Sequence, residues 1–251
     1  MAAAARVVAF MLDQSYQQAQ IYNPELMRAL WFGASVMVVM LAWPAAIEGE
    51  AGDELERALA AARVRAARGD AVAQFSLASL LYYASSDTAG AVQWFRKAAG
   101  QRYAPAEFQM GQLYDFGFGV TRNDRRALDW YLKAAQHGDA AASRAVGDFY
   151  RRGRGVATDL AEAARWYRRA ADGDDLRAQY QLAQMYFDGT GVERDYVSAY
   201  VWFDIAAGQT PLVDNQKAIL ELRNIAAARM SPDALTEAER RAGAWKPGVG
   251  H

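Results

Sequence analysis

Residues 117–135 read Gly117-Phe118-Gly119-Val120-Thr121-Arg122-Asn123-Asp124-Arg125-Arg126-Ala127-Leu128-Asp129-Trp130-Tyr131-Leu132-Lys133-Ala134-Ala135. The pattern returns 36 residues later as Gly153-Arg154-Gly155-Val156, Asp159, Ala163, Trp166-Tyr167 and Ala170-Ala171. It returns again as Gly189-Thr190-Gly191-Val192, Asp195, Ala199, Trp202-Phe203 and Ala206-Ala207. Ala91, Trp94 and Ala98 extend the series toward the N-terminus, and Tyr114, Tyr150 and Tyr186 keep the same register. A fixed period of this length marks an array of small units, each burying its apolar face on its neighbours.

Each unit reads as two helices. Ala106, Met110, Gly111 and Tyr114 fall at helical spacing, which predicts a first helix from Ala104 to about Phe116. Gly111, Gly147 and Ala183 share a register where a small residue admits close helix approach. Gly117, Gly153 and Gly189 are suited to end that helix with a positive φ. Asn123, Asp159 and Asp195 are suited to cap the second helix, and Asp159 with Glu162 has the spacing of a capping box. On the second helix Ala127, Trp130 or Tyr131, and Ala134 form one stripe, with large rings set against small alanines. Gly100, Gly138, Gly173 and Gly208 are placed to close it.

The first unit departs from this pattern. Its second helix keeps register, with Asp87 as N-cap, but its first helix is offset by 33 residues and the turn from Ala84 to Thr88 is short. Asp53 to Arg68 reads as a lone capping helix, Asp53 and Glu56 having capping-box spacing. Asn215 to Arg229, and a helix opened by Ser231-Pro232, close the other end. The expected organisation is an N-terminal extension (1–51), a capping helix (52–69), four repeats (70–102, 103–139, 140–175, 176–209), C-terminal capping helices (210–245) and a tail (246–251).

Composition excludes several classes of function. Charges nearly cancel, 28 Lys and Arg against 29 Asp and Glu, which argues against nucleic acid as a partner. There is no Cys, so disulfide scaffolds, thiolate zinc sites and cysteine nucleophiles are ruled out. The two histidines, His137 and His251, give a catalytic or metal constellation little to work with, and His137 reads as an exposed turn residue. No cofactor or metal is expected, and no enzymatic activity.

From Ala29 to Ile47 the chain carries no charge, and Leu30 to Ala42 is its most apolar part. As a helix, such a run rises roughly 20 Å, short of the roughly 30 Å hydrocarbon core. Arg28 before it and Pro44-Ala45-Ala46 after it give the pattern of a secretory signal peptide, with Met27 as the expected start. The protein is then expected to be periplasmic or secreted. The alternatives are a retained signal anchor through 29–47, with the repeats held at the inner membrane outside the cytoplasm, and a buried docking helix.

The linked motifs resemble the Sel-one-like repeat (SLR) family, relatives of the tetratricopeptide repeats, over residues 70–209. The resemblance implies an all-α fold, a right-handed α-α superhelix of helix–turn–helix repeats. It also implies a non-enzymatic scaffold or adaptor, often of the bacterial envelope. Some cysteine-rich relatives link paired helices by disulfides, and the lack of Cys separates this chain from them.

In such solenoids the first helix of each repeat lines the concave face. Carried over by register, the groove positions are Phe75, Ser79, Tyr82 and Tyr83; Phe108, Gln112, Asp115 and Phe116; Arg144, Asp148, Arg151 and Arg152; and Tyr180, Gln184, Phe187 and Asp188. An aromatic groove with an arginine cluster suits a protein or peptide segment carrying acidic and apolar side chains. Phe108 and Tyr180 have a second assignment, packing between repeats, and the arginines a second one as a solvated face paired with Asp148. An alternative function is binding of envelope glycan or peptidoglycan on the aromatic groove. Asp115, Asp148 and Asp188 stand on separate repeats, too far apart for paired-carboxylate catalysis.

Overall fold

The computed structural model describes residues 46–85, 87–210 and 213–247. The chain divides into two bodies, Met1–Arg57 and Ala58–His251. The apolar run Leu30–Ala42 lies outside the described residues. Among the described residues no helix is long and apolar enough to cross a membrane.

Those residues form helices and no strand. They are α1 (Ala46–Ala67), α2 (Ala71–Tyr83), α3 (Thr88–Ala99), α4 (Ala104–Phe116), α5 (Asp124–Gln136), α6 (Ala140–Arg152), α7 (Leu160–Asp172), α8 (Leu176–Asp188), α9 (Tyr196–Gln209), α10 (Val213–Ala227) and α11 (Pro232–Ala244). From α2 to α9 each helix packs on the next, the two helices of a repeat most extensively, and α9 then receives both α10 and α11. This is an α-solenoid. Helix α1 begins at Ala46, so Asp53 lies inside it and is not the expected N-cap.

The helix starts follow local chemistry. Asp70, Asp87, Asn123, Asp139, Asp159, Asp175 and Asp195 each accept backbone N–H bonds from the first turn of the helix that follows. Ser231 caps α11, with Pro232 as its first residue. Helix α4 has no side-chain cap and carries Pro105 in its first turn instead.

The core aromatic is the residue after the repeating tryptophan. Phe95, Tyr131, Tyr167 and Phe203 are at most 2 % exposed. Of the choice between Trp130 and Tyr131, the structure takes Tyr131, which joins Ala127 and Ala134 on the buried stripe. Trp94, Trp130 and Trp166 are half-buried on the flank of that stripe, each under a cation one turn later. Lys97 Nζ lies 3.9 Å from the Trp94 ring centre and Lys133 Nζ 4.1 Å from that of Trp130. Only the last, Trp202, is buried, against Trp245 beyond α11.

The Gly-x-Gly turns have two tasks. Gly117, Gly153 and Gly189 end α4, α6 and α8 at φ of 76°, 67° and 73°. The N–H groups of Asn123, Asp159 and Asp195 then bond back to the carbonyls of Tyr114, Tyr150 and Tyr186. The second glycines, Gly119, Gly155 and Gly191, also have positive φ, and each rests on the first turn of the preceding repeat's second helix. A Cβ on Gly155 would stand 2.8 Å from the Arg125 nitrogen and 2.8 Å from the Asp124 carbonyl carbon. The glycines expected to close the second helices behave differently. Only Gly138 is left-handed, Gly208 lies inside α9, and Arg102 and Asp174 take the positive φ near the other two.

A contrast between two left-handed glycines tests the seat. Gly69 has φ of +90° and open space where a Cβ would stand, so Gly69→Ala is expected to cost about 1 kcal/mol. Gly155→Ala adds a clash with rigid backbone and is expected to cost about 2 kcal/mol more. Urea unfolding of the two variants measures the difference, and equal losses would dismiss the seat.

Candidate functional site

The expected groove residues separate into covered and open sets. Phe75 packs on Phe95 and Tyr103, both at 5.5 Å between ring centres. Phe108 is buried against Tyr131. Tyr180 and Phe187 reach Phe203, and the Tyr180 hydroxyl accepts a bond from Gln184 Nε2. Gln112 is half-buried. These aromatics therefore join each first helix to the buried ring of the second helix of the same repeat, within and not between the repeats for Phe108 and Tyr180.

Tyr82, Tyr83 and Phe116 behave differently. Tyr82 and Tyr83 meet edge to face at 4.8 Å, and Tyr83 is 38 % exposed. Phe116 is 44 % exposed and stacks on Phe118, itself 40 % exposed, with ring centres 5.8 Å apart. Phe118 was absent from the expected groove, because it belongs to the turn and not to a helix. Its place between two left-handed glycines folds it back over Phe116.

The arginine cluster is largely committed to internal bonds. Arg144 Nε donates to Asp175 at 3.0 Å, and its Nη1 lies 3.7 Å from Asp148. Burial alone would lower the Arg144 pKa, but the Asp175 and Asp148 charges reverse this and raise it. Arg151 donates to the Tyr167 hydroxyl at 3.0 Å and to Asp148 at 3.3 Å, while that hydroxyl donates to Asp148 at 2.7 Å. Burial, then the Asp148 charge, raises the Tyr167 pKa. The expectation that Arg144 and Arg151 present free guanidinium groups to a partner is thus corrected. Both sit one helix turn from an acid on their own helix, and Arg144 also meets an N-cap acid of the next repeat. Arg152 is exposed and makes no ion pair among the described residues.

Three positions escaped the sequence reading. Arg154, the middle residue of its turn, bonds Asp115 at 2.5 Å and Asp124 at 2.7 Å, both in the preceding repeat. Its register mates are Phe118 and Thr190, so no periodic signal marks it. Arg177 lies three residues before Tyr180 on the same helix face, a spacing that could have found it. Burial, then the Arg144 charge, lowers its pKa. Glu107 is 2 % exposed and its Oε2 lies 2.6 Å from His137 Nδ1, so the expected exposed turn histidine is tied to a buried acid. With Asp115 held by Tyr131 and Arg154, and Asp148 by Tyr167 and two arginines, neither acid stands ready for paired-carboxylate chemistry. Among the described residues no group of three His, Asp or Glu could hold a metal ion.

Stacked helix pairs of one design, seated on one another through glycines and joined by side-chain bonds across repeats, define an α-solenoid repeat protein of the tetratricopeptide-like kind. The chain belongs to the Sel1 repeat family, whose model matches residues 71–103, 104–139, 140–175 and 176–210. It is similar to a Sel1 repeat protein from Oxalobacter formigenes of known crystal structure, at 31 % identity over 75 % of this chain and 79 % of that one, with a TM-score of 0.63. It is also similar, at 30 % identity, to c5321, a protective antigen of uropathogenic Escherichia coli strains with an SLR fold. That match covers 70 % of this chain and 45 % of the other, at a TM-score of 0.46. No curated protein is detectably similar to this chain. Sel1 repeat proteins serve in general as scaffolds for protein–protein interaction.

Arg154 sets a pH-dependent bond between repeats. The bond from Arg154, then a weaker one from Arg122, holds the Asp124 carboxyl below its usual range. Asp124 therefore adds stability above the ordinary carboxylate pKa of about 4, and that stability is lost as pH falls through the lowered folded value. Arg154→Ala is expected to cost about 1–3 kcal/mol at pH 7, between the surface and buried limits for ion pairs. Thermal unfolding followed by circular dichroism should show the gap to wild type narrowing toward pH 3, and a constant gap would assign the loss to packing alone.

Proposed function

We propose that this protein is a non-enzymatic adaptor of the bacterial cell envelope that binds a segment of another protein along the first helices of its repeats. The observation that carries the reading is the open set of rings. Tyr83 and Phe116 hold the same register on consecutive first helices and stay exposed, while the neighbouring rings Phe75 and Phe108 are used for packing. Large rings partly exposed at the end of a rigid helix are the residue type that dominates interface energetics. The family's general role as an interaction scaffold supports the same conclusion.

The envelope setting rests on the sequence: a basic residue, the short apolar run Leu30–Ala42, and Pro44 with small residues after it. In this reading the segment is removed on export and the repeats work in the periplasm or outside the cell.

Residues 52–251 as bait, compared with the same bait carrying Tyr83→Ala and Phe116→Ala, test the binding surface. Phe116 is exposed, while Tyr83 also bonds Gln109, so circular dichroism checks that helical content stays at the wild-type level. A protein held by wild type and lost with the double variant is the expected result. Equal retention by both baits would remove these rings from the interface.

A further inference from the structure

The turn between α4 and α5 differs from its two register mates. In the third repeat the middle position is Arg154, committed to Asp115 and Asp124, and in the fourth it is Thr190. In the second it is Phe118, stacked on Phe116 with both rings near two-fifths exposed. The charges around this pair are not balanced. Asp115 and Asp124, the acids nearest in sequence, are both engaged by Arg154. Arg122, packed over Gly117, has one bond to Asp124 at 3.3 Å and is 62 % exposed. Arg125 opens α5 beside the Gly155 seat, and Arg152 takes the register of Phe116 one repeat on. Both are exposed, and neither has a hydrogen bond or ion pair among the described residues.

We infer that the Phe116–Phe118 stack, flanked by Arg125 and Arg152, is a docking site for an acidic peptide segment with one apolar anchor residue. The anchor covers the two rings, and carboxylates to either side meet the two guanidinium groups, which favour planar bidentate acceptors. The two guanidinium groups belong to the elements that Arg154 links to the rings, its Nη2 bonded to Asp115 next to Phe116 and to Asp124 next to Arg125. The recognised pattern is therefore an apolar residue with acidic residues on either side of it. The near-neutral chain as a whole favours this over a nucleic-acid ligand, because aromatic stacking without a broad basic surface leaves a phosphate backbone unneutralised. The inference rests on the interaction role proposed above and adds the partner's chemistry and place.

The test uses the repeat protein labelled with ¹³C at phenylalanine and a capped peptide, acetyl-Glu-Asp-Gly-Leu-Phe-Gly-Asp-Glu-amide. Titration should shift the ring signals of Phe116 and Phe118, and replacing all the peptide's acids by Lys should abolish the shift. Arg125→Glu with Arg152→Glu should weaken the acidic peptide at least tenfold and create binding of the lysine peptide. Failure of that charge exchange overturns the inference, as does a response of the two rings to oligouridylate or chitotetraose but not to the acidic peptide. Shifts confined to other rings would overturn it too. If the acidic peptide fails while the Tyr83–Phe116 variant still loses a captured protein, the acidic chemistry falls and the scaffold reading stands.

Discussion

Everything in the stack depends on how closely the two helices of a repeat approach. Gly111 of α4 lies so near Tyr131 of α5 that a Cβ there would stand 2.5 Å from the ring, and Gly147 stands in the same relation to Tyr167 at 2.9 Å. A small residue on one helix and a large flat one on the other bring the backbones together and leave no void. The alanine rows Ala127, Ala134, Ala163 and Ala170, all fully buried, continue the same short distance along the helix. With the pair fixed in this way, the second helix offers a constant surface to the next repeat, and 36 residues later the arrangement recurs.

Side chains then act in two capacities. Rings buried on this seam hold the two helices of a repeat together, which absorbs most of the aromatic residues expected to line a binding groove. Ion pairs do the same for the arginines. Asp175 both caps α8 and anchors Arg144 of the preceding repeat, and Asp148 receives a tyrosine hydroxyl and two guanidinium groups. What remains open is a short list at the ends of the first helices and in one turn.

The division between what was legible and what was not follows the range of each interaction. Caps and turn glycines were legible because their partners lie within a few residues: Asp159 meets Glu162 N–H, and Gly153 closes its own helix. The choice between Trp130 and Tyr131 was not, because adjacent helical residues differ by only about 100° and both positions repeat. Arg154 and Asp115 are 39 positions apart and Arg144 and Asp175 are 31, so their pairing needs the stack itself. The early start of α1 was missed because Asp53 has the spacing of a cap, and a cap motif inside a helix looks the same in sequence as one at its end.

The second turn glycine ties each repeat to the one before it. Gly119 rests on Thr88, Gly155 on Asp124 and Arg125, and Gly191 on Leu160, while the first repeat has no such turn. The solenoid is therefore directional, like a row of tiles in which each carries a tongue on one side and a groove on the other. Copying 36 residues anywhere between α4 and α9 duplicates tongue and groove together and yields a longer array that still fits. Copying a stretch ahead of α2 duplicates neither. An array joined in this way is lengthened from within the row.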